Sequence, residues 1–237
     1  MWFRTLFDSM KQRRSGTPIR RTPRRLAASR LRVEALEDRS MPSTFTVLNL
    51  LDSGPDSLRA AVAAANANPG ADAINFATTG IIALTSGQLD ITDSLTINGP
   101  GVNALTVSGT GIVSRALPPT GRVFGLAGNP TVLIANLTVA NGWTNAPGGG
   151  IYMAGGTLTL DHCTVAGNYA VNEGGGIYIA GGTLALNQST VSGNYAEDYG
   201  GGGALGGGLF VAGGRLTLDQ STVAWNQIGR ASCRERV

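Results

Sequence analysis

The sequence predicts an all-β protein whose strands coil into a parallel β-helix, a solenoid with about 26 residues in each coil. The first observation is an internal repeat. GGGIYMAGGTLTLDHCTVAGNYA starts at Gly148 and returns as GGGIYIAGGTLALNQSTVSGNYA at Gly174. A third copy, GGGLFVAGGRLTLDQSTVAWNQ, starts at Gly206 after a longer interval, because GGGGAL is inserted before it at Gly200. A recurring period of this length is typical of solenoid architectures.

The second observation is that apolar and polar residues alternate inside each copy. Ile151 and Met153 flank Tyr152, and the same spacing recurs in the segments LTL and CTV of that copy. Period two is the pattern of β-strands. Each copy is therefore predicted to hold three short strands, with glycine-rich corners that permit the positive φ of a sharp bend. We expect successive coils to stack about 4.8 Å apart.

Stacking predicts columns of equivalent residues along the solenoid. The predicted inward columns are Ile151, Ile177 and Leu209; Leu158, Leu184 and Leu216 with Val132 above them; Val139, Val165, Val191 and Val223; and, in a narrower position, Leu137, Cys163, Ser189 and Ser221. Asn168, Asn194 and Asn226 stand in register at a corner, where asparagine tolerates left-handed backbone and can hydrogen-bond within the stack. One coil buries too little apolar surface to offset the entropy of ordering it, so the coils should fold only as a stack.

The residues before the repeats predict a capping helix near residues 56–67. Asp56 or Ser57 is a candidate N-cap, and Asn68-Pro69-Gly70 ends the helix. One apolar stripe follows helical spacing and consists of Leu58, Ala61, Val62 and Ala65. Because the first coil of a solenoid has an open apolar end, we expect this helix to cover it.

Short strands are predicted on both sides of this helix. Phe45 and Val47 indicate an entry strand. The later apolar segments lie at residues 74–76, 81–84, 89–91, 95–97 and 105–107. Pro118-Pro119 predicts a loop that leaves the solenoid, and Arg122-Val123-Phe124 is expected to return to it.

Charge and repeat pattern divide the chain into three parts. Residues 1–41 have eleven Lys or Arg against four Asp or Glu, a net charge of +7, whereas residues 42–229 have four Arg against ten Asp or Glu, a net charge of −6. We interpret residues 1–43 as a basic, disordered targeting arm and residues 44–227 as the β-helix. The pattern stops after Gln227, and residues 228–237 are interpreted as a non-native tail, with a genuine basic terminus as the alternative.

Composition also bears on partners and compartment. The basic arm lacks the folded module and interleaved aromatic residues of nucleic-acid binders, so we expect no nucleic-acid partner. No apolar run reaches the roughly 18 residues of a membrane helix, so we expect no transmembrane helix. Of the two cysteines, Cys163 occupies an inward column and Cys233 lies in the tail, which predicts no disulfide.

The arm contains a short motif that bears on localisation. RLRVEALEDRSMPS, residues 30–43, resembles the N-terminal motif of planctomycete surface and secreted proteins, in which Leu-Glu-Asp-Arg follows an arginine-rich stretch. Here the motif is Leu36-Glu37-Asp38-Arg39. The resemblance implies export to the cell envelope or the exterior, although the arm lacks the apolar stretch of an ordinary secretory signal.

Two further resemblances concern the solenoid itself. Ser57-Leu58-Arg59 and Ala65-Asn66 are similar to a signature in the leader of bacterial β-helix proteins. The repeats resemble those of polymorphic outer-membrane proteins, with Gly-Gly-Ile at 149–151 and 175–177 and Gly-Asn at 167–168 and 193–194. The third copy departs from these signatures, with Leu209 in place of Ile and Trp225 in place of Gly. The resemblance, together with the general rule for parallel crossovers, implies a right-handed β-helix.

His162 is the only histidine, and it stands between Asp161 and Cys163. A metal site or a Cys–His pair is the functional alternative. However, consecutive residues on a strand point to opposite faces, and the equivalent corners are Asn187-Gln188-Ser189 and Asp219-Gln220-Ser221. We therefore interpret His162 as part of an exposed polar corner. We predict no catalytic residue, cofactor or metal ligand in this segment.

Catalysis is the natural alternative, because many β-helix proteins are polysaccharide lyases or hydrolases. Lyases need clustered carboxylates for Ca²⁺ and a proton acceptor, and hydrolases need paired carboxylates. Asp161 and Asp219 share a column, but they are two coils apart with Asn187 between them, and the sole lysine, Lys11, lies in the arm. The glycine run 174–182 lacks the motifs of phosphate or Ca²⁺ loops and is interpreted as corner glycine.

Outward aromatic residues are the best binding candidates. Tyr152, Tyr178 and Phe210 form one predicted column, and Tyr169 and Tyr195 form another. They could hold a surface glycan or a partner protein, or they could stabilise the solenoid without a ligand, which we prefer.

We expect an exported cell-surface or extracellular scaffold for structure or adhesion, associated with the envelope or outer membrane through missing sequence. The alternative is a carbohydrate-active enzyme, a lyase or hydrolase, whose site lies in missing C-terminal sequence.

Overall fold

The structure of the chain is a computed structural model, which describes residues 41–109, 121–198 and 203–230. Nearly all of the predicted arm lies outside the described residues. The predicted loop at Pro118-Pro119 and the tail from residue 231 onward also lie outside them.

The described residues form one α-helix and 22 β-strands. The irregular first part consists of β1 (Thr44–Val47), α1 (Leu58–Ala67), β2 (Asp72–Phe76), β3 (Gly80–Leu84), β4 (Leu89–Ile91), β5 (Leu95–Asn98), β6 (Leu105–Gly109) and β7 (Phe124–Leu126). The next strands are β8 (Thr131–Ala135), β9 (Thr138–Ala140), β10 (Trp143–Thr144), β11 (Ile151–Met153), β12 (Thr157–Asp161), β13 (Thr164–Ala166) and β14 (Tyr169–Val171). The last strands are β15 (Ile177–Ile179), β16 (Thr183–Asn187), β17 (Thr190–Ser192), β18 (Tyr195–Asp198), β19 (Leu209–Val211), β20 (Arg215–Asp219), β21 (Thr222–Ala224) and β22 (Gln227–Arg230).

These strands stack into four parallel sheets that run along the solenoid. The first sheet has the order β1-β2-β5-β8-β12-β16-β20, the second β3-β6-β9-β13-β17-β21, the third β4-β7-β11-β15-β19 and the fourth β10-β14-β18-β22. Leu158 pairs with Leu184 of the next copy, and Leu184 pairs with Leu216 across the longer interval before the third copy. The prediction of an all-β parallel β-helix is confirmed.

The prediction of three strands in each coil is wrong, because the regular coils each have a fourth strand. This strand is β10, β14, β18 or β22, and it follows the asparagine corner. Its sequence signal is weak because one small residue is its main inward contact: Ala170 in β14 and Ala196 in β18, both 0% exposed. Alternation of apolar residues cannot be recognised in such a short strand with a single inward alanine.

The predicted inward columns are confirmed by the strand register. Ile151 pairs with Ile177, which pairs with Leu209, and the leucine and valine columns pair in the same way. Cys163 and Ser189 are both buried in the narrower column, where the backbone N–H of Cys163 donates to Ser189 Oγ over 3.0 Å. One continuous apolar core therefore extends along the solenoid.

The capping helix is confirmed as α1. Ser57 is its N-cap, since Ser57 Oγ accepts from the backbone N–H of Ala60 over 3.2 Å. The alternative, Asp56, has a left-handed backbone with φ of 58°. The predicted stripe of Leu58, Ala61, Val62 and Ala65 is buried, and α1 packs against β1, β2 and β4. The helix therefore covers the apolar end of the first coils. Within the described residues, no helix is long and apolar enough to span a membrane.

The corner asparagines form a hydrogen-bond ladder, as predicted, but they do not have left-handed backbone. The left-handed residue is the one before each of them: Gly167 (φ 66°), Gly193 (φ 64°) and Trp225 (φ 59°). Glycine adopts this conformation without a steric cost. The asparagine that follows can then turn its amide into the stack, where Asn194 Nδ2 donates to Asn226 Oδ1 over 2.9 Å.

Candidate functional site

The outward column of the third sheet is a stack of aromatic rings, in the register that the sequence predicts. Tyr152 pairs with Tyr178, which pairs with Phe210. The ring centroids of Tyr152 and Tyr178 are 5.5 Å apart and the rings are nearly parallel, at 3°. Tyr178 and Phe210 are 5.6 Å apart at 23°. Because both faces of the Tyr178 ring are covered, a sugar ring cannot stack on it.

A cation extends this stack by one position. The guanidinium carbon of Arg122 lies 4.6 Å from the centroid of the Tyr152 ring, within the range of a cation–π contact, and its Nη2 donates to Pro147 O over 3.0 Å. Gly125 is the strand partner of Tyr152 on this side, so no side chain there competes with Arg122. Burial lowers the pKa of Arg122, and its Nε is buried without a hydrogen-bond partner among the described residues.

A second aromatic column lies on the outer side of the fourth sheet. Tyr169 and Tyr195 pair in register and their rings stack at 5.4 Å, as the sequence predicts. Trp143 extends the column, with its ring edge-to-face with Tyr169 at 6.4 Å. Tyr169 is only 6% exposed and Trp143 only 7%. Tyr169 and Trp143 are therefore covered from solvent, whereas Tyr195 is half-buried. Tyr169 is not the exposed binding residue that an outward position suggested.

Two carboxylates at the end of β18 are buried, and the sequence pattern singled out neither of them. Glu197 is 7% exposed and accepts a hydrogen bond from the Tyr169 hydroxyl, and Asp198 is 6% exposed and accepts one from the backbone N–H of Gly203. The register pairs Glu197 with Val171 of the preceding coil. Alignment of the repeats could therefore have pointed to Glu197, because a carboxylate stands there at the position that Val171 occupies one coil earlier.

The other predicted corner residues are not assembled into a site. Strand β12 ends at Asp161, so the premise that His162 lies on that strand is wrong: His162 is a left-handed corner residue with φ of 50°. Its side chain is 52% exposed, with Nδ1 3.1 Å from Asp161 Oδ1, which confirms the exposed polar corner. Cys163 is buried, and burial raises the pKa of its thiol to about 11.

The predicted carboxylate column on the first sheet is also present. Asp161 pairs with Asn187, which pairs with Asp219, so an asparagine coil lies between the two carboxylates. In residues 41–109, 121–198 and 203–230, no three His, Cys, Asp or Glu residues are grouped as metal ligands.

A cluster of charged and hydrogen-bonded groups lies at the capping end. Asp52 accepts from Arg59 Nη2 over 2.7 Å and from the backbone N–H groups of Thr85 and Ser86 over 3.0 and 2.7 Å. Arg59 also donates to the carbonyl oxygens of Gly87 and Gln88. Burial opposes the charge on Asp52, but these hydrogen bonds outweigh it and lower the pKa of Asp52 from 3.8 to about 2. The cluster fixes α1 to the turn between β3 and β4.

Stacked aromatic side chains are therefore gathered on the third and fourth sheets, on either side of the glycine triplets. In both columns they contact equivalent residues of the neighbouring coil. Neither the scan against protein-family models nor the search of curated proteins finds a match for this chain.

Proposed function

We propose that this chain is an exported β-helix repeat protein that acts as a structural or adhesion scaffold at the cell surface. One observation supports this most directly: the outward aromatic side chains and the corner asparagines of the regular coils have each other as partners. Tyr178 is stacked between Tyr152 and Phe210, and Asn194 is bonded to the asparagines of both adjacent coils. These contacts stiffen the solenoid and link each coil to the next.

A stiffened solenoid is suited to holding its corner loops at fixed spacing. Surface glycans or proteins are the partners that fit this role. Support for export comes from Leu36-Glu37-Asp38-Arg39, which resembles the surface and secretion motif described above. Association with the cell envelope belongs to the same proposal.

Export is tested by expressing the chain in a planctomycete and fractionating the cells. The chain is compared with a variant in which residues 36–39 are replaced by alanine. We expect the unchanged chain in the envelope or medium and the variant in the cytoplasm. A chain that stays in the cytoplasm regardless of the motif contradicts the proposal.

Adhesion is tested separately by binding of the purified chain to isolated envelope polysaccharide and protein.

A second candidate function is that of a carbohydrate-active enzyme, a lyase or a hydrolase. The observation that favours it is two buried carboxylates at the end of β18: Glu197, on the outer side of the fourth sheet, and Asp198, which follows it. Release of reducing ends or of unsaturated products from acidic polysaccharides, with and without Ca²⁺, distinguishes the two functions. Turnover that is lost in Glu197→Gln supports the enzyme and contradicts the scaffold. Binding without product release supports the scaffold.

A further inference from the structure

The coil formed by β19 to β22 presents its inward face to solvent. Leu218 is 52% exposed and Ile228 is 53% exposed, whereas Leu186 and Ala196, which occupy the same positions one coil earlier, are 0% exposed. Val223 is 43% exposed in the same way. This end face, defined by the inward side chains of β19 to β22, is an apolar surface of the kind that marks an interaction site.

The end face is framed by four open strand edges. Strands β19, β20, β21 and β22 each stand at the end of their sheet and have a strand neighbour on one side only within the described residues. An open edge presents unpaired N–H and C=O groups, which form a template for another strand. The partner that fits this surface must therefore supply both apolar side chains and strand edges.

The opposite end of the solenoid cannot be that partner. There α1 packs over β1, β2 and β4 and buries Leu58 and Val62 against the core. Two copies of the chain therefore cannot stack head to tail by placing one end face on the first coil of the next copy. An end-to-end contact that covers this face can instead use two identical end faces, which is an isologous contact with two-fold symmetry and closes at two subunits.

The sequence of β20 is complementary to itself in that arrangement. It reads Arg215, Leu216, Thr217, Leu218 and Asp219. An antiparallel pair of two β20 strands centred on Thr217 places Arg215 of each copy opposite Asp219 of the other. It also places Leu216 opposite Leu218 on the inward side. Arg215 and Asp219 are both exposed, and opposite charges facing each other across strands stabilise a pair.

The other three edges match under the same symmetry. Along each coil the chain visits the third, first, second and fourth sheets in that order. A two-fold axis through the first and fourth sheets exchanges the second and third. It therefore pairs β19 of one copy with β21 of the other, and both of these strands are three residues long. It also pairs β22 of one copy with β22 of the other. We propose that two copies of this chain join through their end faces by antiparallel strand pairing, with Arg215 of each copy paired to Asp219 of the other.

Sedimentation velocity of the 237-residue chain over a range of concentrations tests this proposal. We expect a dimer that forms no larger species. Asp219→Arg places like charges at both points where residue 215 of one copy faces residue 219 of the other, and so does Arg215→Asp. The dimer dissociation constant of each variant alone should therefore rise at least about tenfold. An equal mixture of the two variants should form a heterodimer, and the double variant Arg215→Asp/Asp219→Arg should form a homodimer again.

Asp161→Arg is the matched control, because Asp161 stands in the same column as Asp219 but two coils inside the solenoid. It should leave the dimer unchanged. Circular dichroism melting of each variant separates lost association from lost folding. A native chain that stays monomeric at every concentration overturns the proposal. A dimer that neither single charge reversal weakens also overturns it.

Discussion

Asn168 donates two hydrogen bonds to one oxygen atom of Asn194: its side-chain Nδ2 reaches Asn194 Oδ1 over 2.9 Å and its backbone N–H over 3.0 Å. Asn194 repeats both bonds with Asn226 one coil later. At this corner the backbone is turning between sheets and has no neighbouring strand for its N–H groups. The asparagine amide therefore takes the place that a strand partner has elsewhere in the coil.

Replacement of Asn194 by alanine should destabilise the protein strongly. The change leaves the backbone N–H and Nδ2 of Asn168 and the carbonyl of Val165 without this buried partner. We expect a loss of roughly 2–4 kcal/mol in the free energy of unfolding, measured by urea denaturation. Asn187→Ala, at a half-buried outward position, is the control and should lose less than about 1 kcal/mol. Equal losses would contradict the ladder's role.

The inward assignment of the leucine column can be tested by placing a charge in it. Leu184 is 0% exposed between Leu158 and Leu216 of its column. Leu184→Asp should cost more than about 4 kcal/mol and abolish cooperative unfolding, because an unpaired carboxylate would be buried. Ala185→Asp, on the outward side of the same strand, should retain the melting transition. Unchanged circular dichroism and melting of Leu184→Asp would show that the assignment is wrong.

Trp225 is a site where glycine should stabilise the fold. It has a φ of 59° at the corner where the two preceding coils have Gly167 and Gly193, and its side chain is 86% exposed. A bulky residue in this conformation is strained. Trp225→Gly should therefore raise the free energy of unfolding by about 1 kcal/mol, and Trp225→Ala should not. A lower melting temperature for the glycine variant would contradict the argument.

The Asp52 cluster predicts acid sensitivity at the capping end. The folded-state pKa of Asp52, about 2, lies below its ordinary value of 3.8. Its contribution to stability is therefore fully present above pH 3.8 and is lost as the pH falls towards about 2. Asp52→Asn should be less stable than the unchanged chain at neutral pH, and the difference should shrink over that window. A pH series of urea midpoints measures this, and a constant difference would contradict it.

Cys163 should be unreactive in the folded protein. Its thiol is 2% exposed and burial raises its pKa to about 11, so no thiolate is available at neutral pH. We expect mass spectrometry to find the Cys163 peptide unlabelled after treatment with iodoacetamide and labelled after denaturation in guanidinium. Rapid labelling without denaturant would mean that the coil around Cys163 opens readily.

The features that could be predicted from the sequence are those formed by residues that recur at a regular spacing. The columns of large aliphatic residues and the buried stripe of α1 follow from periodicity, because each depends on one face of one element. The burial of Glu197 does not follow from alternation along β18, which places Glu197 on the outward side; its partner is the Tyr169 hydroxyl of the preceding coil. The stack of Arg122 on Tyr152 depends on the missing side chain of Gly125, which is a feature of neighbouring strands considered together.

The longer interval before the third copy has a consequence for how the solenoid tolerates change. Tyr169 pairs with Tyr195 across the regular interval, and Tyr195 pairs with Gln227 across the longer one, yet the strands on both sides keep their partners. The extra residues lie between β18 and β19. Foreign peptides grafted into the same corner of each coil, next to Glu173 for example, would therefore emerge in a row along a single seam of the protein. The seam offers a natural position for engineered epitopes at a spacing set by the coils.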